Sequence, residues 1–175
     1  CVSAKSYSID YVVSEIHLPS SGCKMIVNEE IRVKFSGSYS FMTRAFPREL
    51  SYASTFSINK VTASDGIIVT SSGLQNSKDG LYHNIFWKFI GVPDSGPTYV
   101  SFYLSYQIGG YFQNIDATHN KLSWYYSWDT TIGQITNKVI YPTKINNSSI
   151  VADPIADASV SSEQVVFNHG NVPAG

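Results

Sequence analysis

The chain has 175 residues, enough for one domain with a sizeable core. Its 12 Lys+Arg against 13 Asp+Glu leave a net charge of −1 and only 14 % charged residues, which excludes a basic nucleic-acid footprint and an acidic tail. No apolar run approaches the roughly 18–20 residues of a membrane span, and a chain beginning at Cys1 reads as a processed N-terminus.

Tyr7 to Leu18 reads as the first strand. Its apolar parity switches between Val13 and Ile16, which predicts a bulge near Ser14-Glu15. Pro19 to Gly22 is a turn, and Lys24 to Phe35 returns as the second strand of a long hairpin. In that strand Met25, Val27, Ile31, Val33 and Phe35 share one face, and Glu29 falls among them. Tyr39 to Thr43 predicts a short strand that stops at the corner Arg44-Ala45-Phe46-Pro47, because Pro47 cannot donate to a ladder. Phe56 to Ala63 and Ile67 to Ser71 flank Asp65-Gly66, a hairpin signal. Gly73 to Gly80 reads as a polar loop, and Leu81 to Ile90 as a strand with Ile85, Trp87 and Phe89 on one face. Tyr99 to Ile108 is the clearest alternation in the chain. Tyr111 to Asn120 reads as irregular. Strands are expected at Leu122 to Ser127, at Gln134 to Tyr141 and at Val160 to Phe167, with Asn168 to Gly175 trailing off. No stretch of ten residues has helical periodicity. The expectation is an all-β chain of about nine or ten strands forming a two-sheet antiparallel β-sandwich, immunoglobulin-like or jelly-roll. It spans 1–175 as one domain, with extended tails at 1–6 and 168–175.

Glu29 is the sharpest anomaly, because a carboxylate on an apolar face must be paired, protonated or functional. A catalytic acid is one reading. A structural ion pair with Arg44, whose guanidinium can satisfy both oxygens, is the favoured one. No second inward carboxylate completes a glycosidase pair. Trp124 to Trp128 is either core or a sugar-stacking platform. Trp124 reads as core; Trp128, with Tyr126 and Tyr125, is the candidate aromatic binding surface, because Asp129 begins a turn. The four histidines have no ligand spacing, and no phosphate-loop, dinucleotide, metalloprotease or serine-hydrolase motif occurs, so neither a metal nor a cofactor is expected. Asn146 and Asn147 head overlapping glycosylation sequons. A Cys1–Cys23 disulfide would have to span a strand of roughly 40 Å unless the N-terminus doubles back. The alternatives are a lipid on Cys1 or a disulfide from Cys1 to Cys23 of a neighbouring subunit.

Several motifs together resemble a known family. Val27-Asn28-Glu29-Glu30-Ile31, Phe35-Ser36-Gly37 and Arg44-Ala45-Phe46-Pro47 are followed by Tyr106-Gln107-Ile108-Gly109-Gly110 and Leu122-Ser123-Trp124. Ile135 to Pro142, Val165-Val166-Phe167 and Asn171 to Gly175 complete the series in order. The set is similar to the extracytoplasmic N-terminal domain of predicted membrane proteins, domain of unknown function family 2207. That resemblance implies a β-sandwich outside the membrane, with Glu29 and Arg44 at family positions and no assigned activity. In the family a further strand and a transmembrane helix follow the last motif, whereas here the sequence stops at Gly175.

The expected function is therefore a non-enzymatic extracellular or cell-surface domain for presentation, adhesion or partner binding. One alternative is a subunit of a head-to-tail extracellular filament built by strand complementation. The other is a carbohydrate-binding module. Expected partners are proteins or neighbouring subunits at the cell surface, and glycans. No nucleic-acid partner is expected, and membrane contact only through a tether outside this chain or a lipid on Cys1.

Overall fold

The computed structural model of the chain describes residues 5–22, 24–48, 56–64, 66–94, 96–114, 120–124, 126, 128–143, 157–161 and 163–174. Among these residues the protein is all-β, with twelve strands: β1 (Ser6–His17), β2 (Lys24–Ser36), β3 (Phe41–Pro47), β4 (Ser57–Ala63), β5 (Ile68–Asn76), β6 (Tyr82–Ile90), β7 (Pro97–Gly109), β8 (Phe112–Asn114), β9 (Asn120–Leu122), β10 (Ile132–Ile140), β11 (Asp157–Val160) and β12 (Gln164–Val172). Among the described residues no helix is long and apolar enough to cross a membrane.

Seven strands form one sheet in the order β11-β12-β10-β1-β2-β7-β4; three form a second, β3-β6-β5; β8 and β9 pair separately. The large sheet is mixed rather than antiparallel throughout, because β1 pairs β10 in parallel. β1 is antiparallel to its hairpin partner β2 on the other side. A strand that returns to β1 only after residue 130 is free to run in either direction, since the long connection allows a crossover.

The period-two signal survives where it was strongest. Met25, Val27, Glu29, Ile31, Val33 and Phe35 are all buried on β2, and Val100, Phe102, Leu104, Tyr106 and Ile108 on β7. Each large apolar side chain among them contributes about 1.5–3 kcal/mol on burial. Phe102 of the large sheet meets Trp87 and Phe89 of the small one at 5.4 Å and 4.9 Å. A second aromatic group centres on Phe46, with Tyr106 at 5.5 Å, Phe56 at 5.2 Å and Trp124 at 6.2 Å.

Several local expectations need correction. The β1 register shift lies between Ile9 and Tyr11, not at Ser14-Glu15. The shift turns Ser14 inward beside Val12 and Ile16 and leaves Tyr11 and Val13 outward. Gly133 stands beside the shift, where a Cβ would meet the Asp10 carbonyl oxygen at 2.5 Å. β3 continues through the corner to Pro47, which the sheet tolerates because β3 is an edge strand and Pro47 its last residue. The Asp65-Gly66 turn does not make a paired hairpin, since β4 pairs β7 in the large sheet and β5 pairs β6 in the small one. Turn chemistry reverses the chain locally but does not choose the ladder. The polar segment after Gly73 is strand as far as Asn76; Gly73 is needed there because a Cβ would meet the Phe86 ring at 2.8 Å. Finally, Asn168 to Val172 is not a tail: it is the second half of β12, paired with β10 from Thr136 back to Ile132.

Candidate functional site

Three neighbouring strands of the large sheet place polar side chains in one row on the inner face. Asn137 of β10 stands beside Ser14 of β1, and Ser14 beside Glu29 of β2. All three are buried. Arg44 reaches Glu29 from β3 of the opposite sheet, which it can do only because the strand runs through the corner. Arg44 Nε donates to Glu29 Oε2 at 3.3 Å and Nη2 to Oε1 at 3.4 Å, and both side chains are 0 % exposed. Ser14 Oγ donates to the same Oε1 at 2.9 Å. Arg44 Nη1 donates to the Ala45 carbonyl at 2.9 Å.

Aromatic rings close this centre. The guanidinium carbon of Arg44 lies 4.3 Å from the Phe46 ring centroid, 4.8 Å from Tyr126, 4.9 Å from Trp128 and 5.9 Å from Trp124. Four rings around one cation supply negative π faces in place of the water that burial removes. The rings are themselves anchored. The Tyr126 hydroxyl donates to Asn137 Oδ1 at 2.5 Å, accepts from Trp124 Nε1 at 3.0 Å and lies 2.6 Å from Ser14 Oγ. Trp128 Nε1 donates to the Thr43 carbonyl at 3.0 Å, and its ring stacks on Tyr126 at 6.2 Å.

The electrostatics follow from burial and from this one carboxylate. Burial is the largest single influence and works against the Arg44 charge, but the Glu29 charge, Tyr106, Tyr126 and the hydrogen bond to Glu29 together outweigh it, and the guanidinium is held above its ordinary value. Burial first, and the Glu29 charge second, push the Tyr106 and Tyr126 phenols well above theirs. The Tyr106 hydroxyl feels Glu29 yet closes no hydrogen bond of normal geometry among the described residues. A carboxylate fully engaged by a cation and a hydroxyl, and buried from solvent, cannot take a proton from a substrate. Its chemistry is that of a pin between two sheets.

Trp128 is not a surface residue: it is 6 % exposed and faces the buried arginine, so the aromatic binding surface expected at Trp128 and Tyr126 is instead the lining of the core. The turn that begins at Asp129 does not expose the ring, because the indole is tied to the Thr43 carbonyl. Tyr125, Cys1, Cys23, Asn146 and Asn147 lie outside the described residues. Among the described residues no group of three or more His, Cys, Asp and Glu comes together for a metal ion. His17 Nε2 lies 2.8 Å from Glu15, and His83 Nδ1 lies 2.8 Å from Asn76 Oδ1.

One feature was missed by sequence reasoning. The outer face of the large sheet carries an open groove of about 390 Å³, lined by Glu15, Asn28, Glu30, Tyr103, Lys60 and Lys138 among others. Carboxylates and lysines share its lining, and Glu30 accepts from the Tyr11 hydroxyl at 2.7 Å. The signal was present in the outward parity of β1, β2 and β7, but it becomes a surface only once those strands are known to be adjacent.

No family model matches the chain, and no curated protein matches it. Solved structures do. Native yeast LTA4 hydrolase is similar with a TM-score of 0.59 at 8 % identity, covering 95 % of this chain and 27 % of that one. Yeast LTA4 hydrolase in complex with bestatin is similar with a TM-score of 0.56 at 6 % identity and the same coverages. At such identities the likeness is one of fold, and this chain spans about a quarter of the length of those chains.

Proposed function

We propose that the chain is a non-enzymatic domain that binds or presents to a protein partner outside the membrane, built as a two-sheet β-sandwich. The sandwich reading is supported by the pairs that join the large sheet to the small one, Glu29 with Arg44 and Phe102 with Trp87 and Phe89. One observation carries the functional reading. The best candidate catalytic group, Glu29, is consumed in a sealed pair, and the aromatic side chains that could have stacked on a sugar surround its partner. Among the described residues, the sheet face and strand edge left to solvent suit recognition of a partner. The occurrence of the same fold as about a quarter of a longer chain supports its use as a module beside another folded body. Sparse charge and a hydroxyl- and amide-rich composition support a setting at the cell surface.

The test is a membrane-impermeant, amine-reactive crosslinker applied to intact cells that make the protein; exposed Lys60 and Lys88 offer reactive sites. The expected result is an adduct joining this chain to a different surface protein. Reaction only after lysis would overturn the cell-surface reading, and labelled chain without an adduct would overturn partner binding.

A further inference from the structure

The outer groove of the large sheet lies across strands whose backbone groups are already engaged. β1, β2 and β7 are each paired on both sides, so nothing can join them as an added strand, and whatever enters the groove meets side chains. The ladders set those side chains in order. One row runs Lys138, Glu15, Asn28, Ser105, Lys60, and the next sets Glu30 beside Tyr103. Strands about 4.8 Å apart place the two lysines at opposite ends of the groove, roughly 19 Å from each other at Cα, with both carboxylates between them. These charges are not used up on one another. Glu15 lies against His17 rather than Lys138, its cross-strand neighbour, and Glu30 accepts from the Tyr11 hydroxyl at 2.7 Å. Among the described residues neither lysine closes an ion pair. Glu29 also borders the groove, but Arg44 neutralises it from the inner side. Tyr99, on the same face, is covered by Arg32 at 5.5 Å and Lys34 at 5.6 Å. The Tyr103 ring is 44 % exposed, and among the described residues no cation lies over it.

We propose that this groove binds a neutral oligosaccharide, with one sugar ring stacked on Tyr103. The site stands apart from the protein-partner reading, because the lining alone carries it. A lysine ammonium only donates hydrogen bonds and a carboxylate only accepts them, whereas a sugar hydroxyl does both. A polyol therefore satisfies both kinds at once, through the stronger charge-assisted hydrogen bonds, and brings no charge of its own. An anion drawn in by Lys60 and Lys138 meets Glu15 and Glu30, and a cation drawn in by the carboxylates meets the lysines. The exposed Tyr103 ring takes the apolar C–H face of a sugar; Trp124 and Trp128 do not compete for it, because both are turned to Arg44. At about 390 Å³ the groove has the size of a small-ligand site. It is lined by fewer residues than the roughly 20–30 a side of a standard protein interface.

The experiment is isothermal titration calorimetry of the chain against neutral hexasaccharides: cello-, xylo-, manno-, malto-, laminari- and chitohexaose, each up to about 10 mM. At least one should bind with a Kd of about 1 mM or tighter, and Tyr103→Ala should weaken it at least about tenfold. Tyr99→Ala, whose ring is held between Arg32 and Lys34 on the same face, should leave the Kd unchanged. Circular dichroism establishes that each variant is folded; if Tyr103→Ala is not, the exposed Lys60→Ala serves, with a weakening of about threefold or more. A chain that binds none of the six overturns the proposal. So does a Tyr103→Ala variant that binds as before, or a chain that takes anionic hexagalacturonate or the cationic deacetylated chitohexaose in preference to every neutral sugar. A protein whose hold on the chain is lost in Tyr103→Ala, with no hexasaccharide bound, makes the groove a protein interface and overturns it as well.

Discussion

Glu29 and Arg44 illustrate how one residue pair can be decisive without being a large net stabiliser. Removing both ions from water costs nearly what their attraction returns, but removing one partner strands the other. Glu29→Gln keeps the shape and deletes the charge, leaving Arg44 among four rings with no anion. The expected loss is about 3–5 kcal/mol, read as a lower denaturation midpoint in urea. Replacing both, Glu29→Leu with Arg44→Met, should cost less than the sum of the two single changes, because neither charge is then buried alone. An additive double variant would show that the two side chains do not act as one pin. Tyr106→Phe makes the contrast: it removes a buried hydroxyl that closes no hydrogen bond among the described residues, so stability should hold or rise slightly by the same urea measurement. Ser14, the hydroxyl on Glu29 Oε1, should fall between these cases.

At the scale of an element, β1 depends on a residue outside itself. Its register shift at Asp10 turns Ser14 inward to Glu29, and Gly133 of β10 makes room for the displaced backbone. Gly133→Ala sets a methyl group 2.5 Å from the Asp10 carbonyl oxygen, a main-chain atom that cannot swing aside. The expected cost is about 1–3 kcal/mol, with the β1–β10 amides losing protection first in hydrogen exchange. Equal loss of protection in β6 and β7 would contradict this placement. Gly73 meets a ring rather than main chain, so Gly73→Ala can be relieved by movement of Phe86 and should cost less. β3 makes the complementary point, since an edge position lets a proline end a strand that still delivers Arg44 to the core.

The whole molecule carries a signature at alkaline pH. Tyr106 is buried and Tyr126 partly buried beside Glu29, and Tyr7 is half-buried against Asp129, to which its hydroxyl donates; all three phenols are held above the ordinary 10.0. A group whose folded value is raised holds its proton in the native state after the unfolded chain has released it. The unfolded chain then binds fewer protons, and stability falls with rising pH. The contribution is complete below about pH 10 and is lost above it, so stability should decline from about pH 10 upward. Of the 12 tyrosines, these three should ionise only as the protein unfolds, seen as a late step in phenolate absorbance. Ionisation of all tyrosines in one early step, with the fold intact, would refute the burial of Tyr106 and Tyr126.

The sequence by itself determined the class of structure and the location of its anomaly. Strict alternation in Met25–Phe35 and Tyr99–Ile108 specified strands and their buried faces, because a period of two allows no other half-buried element. The same rule exposed Glu29 as a charge on an inner face, and Arg44 was legible as its partner because a bidentate cation satisfies a buried carboxylate. Strand adjacency was not legible. The parallel β1–β10 ladder, the separation of β4 from β5 across two sheets and the outer groove all depend on which strand lies beside which. Local sequence reports period and turn chemistry, while strand partners are chosen by burial over the entire chain. Trp128 shows the difference most clearly: its place beside a turn in the sequence pointed to exposure, and only the packing of the small sheet against the large one turned it over a buried arginine.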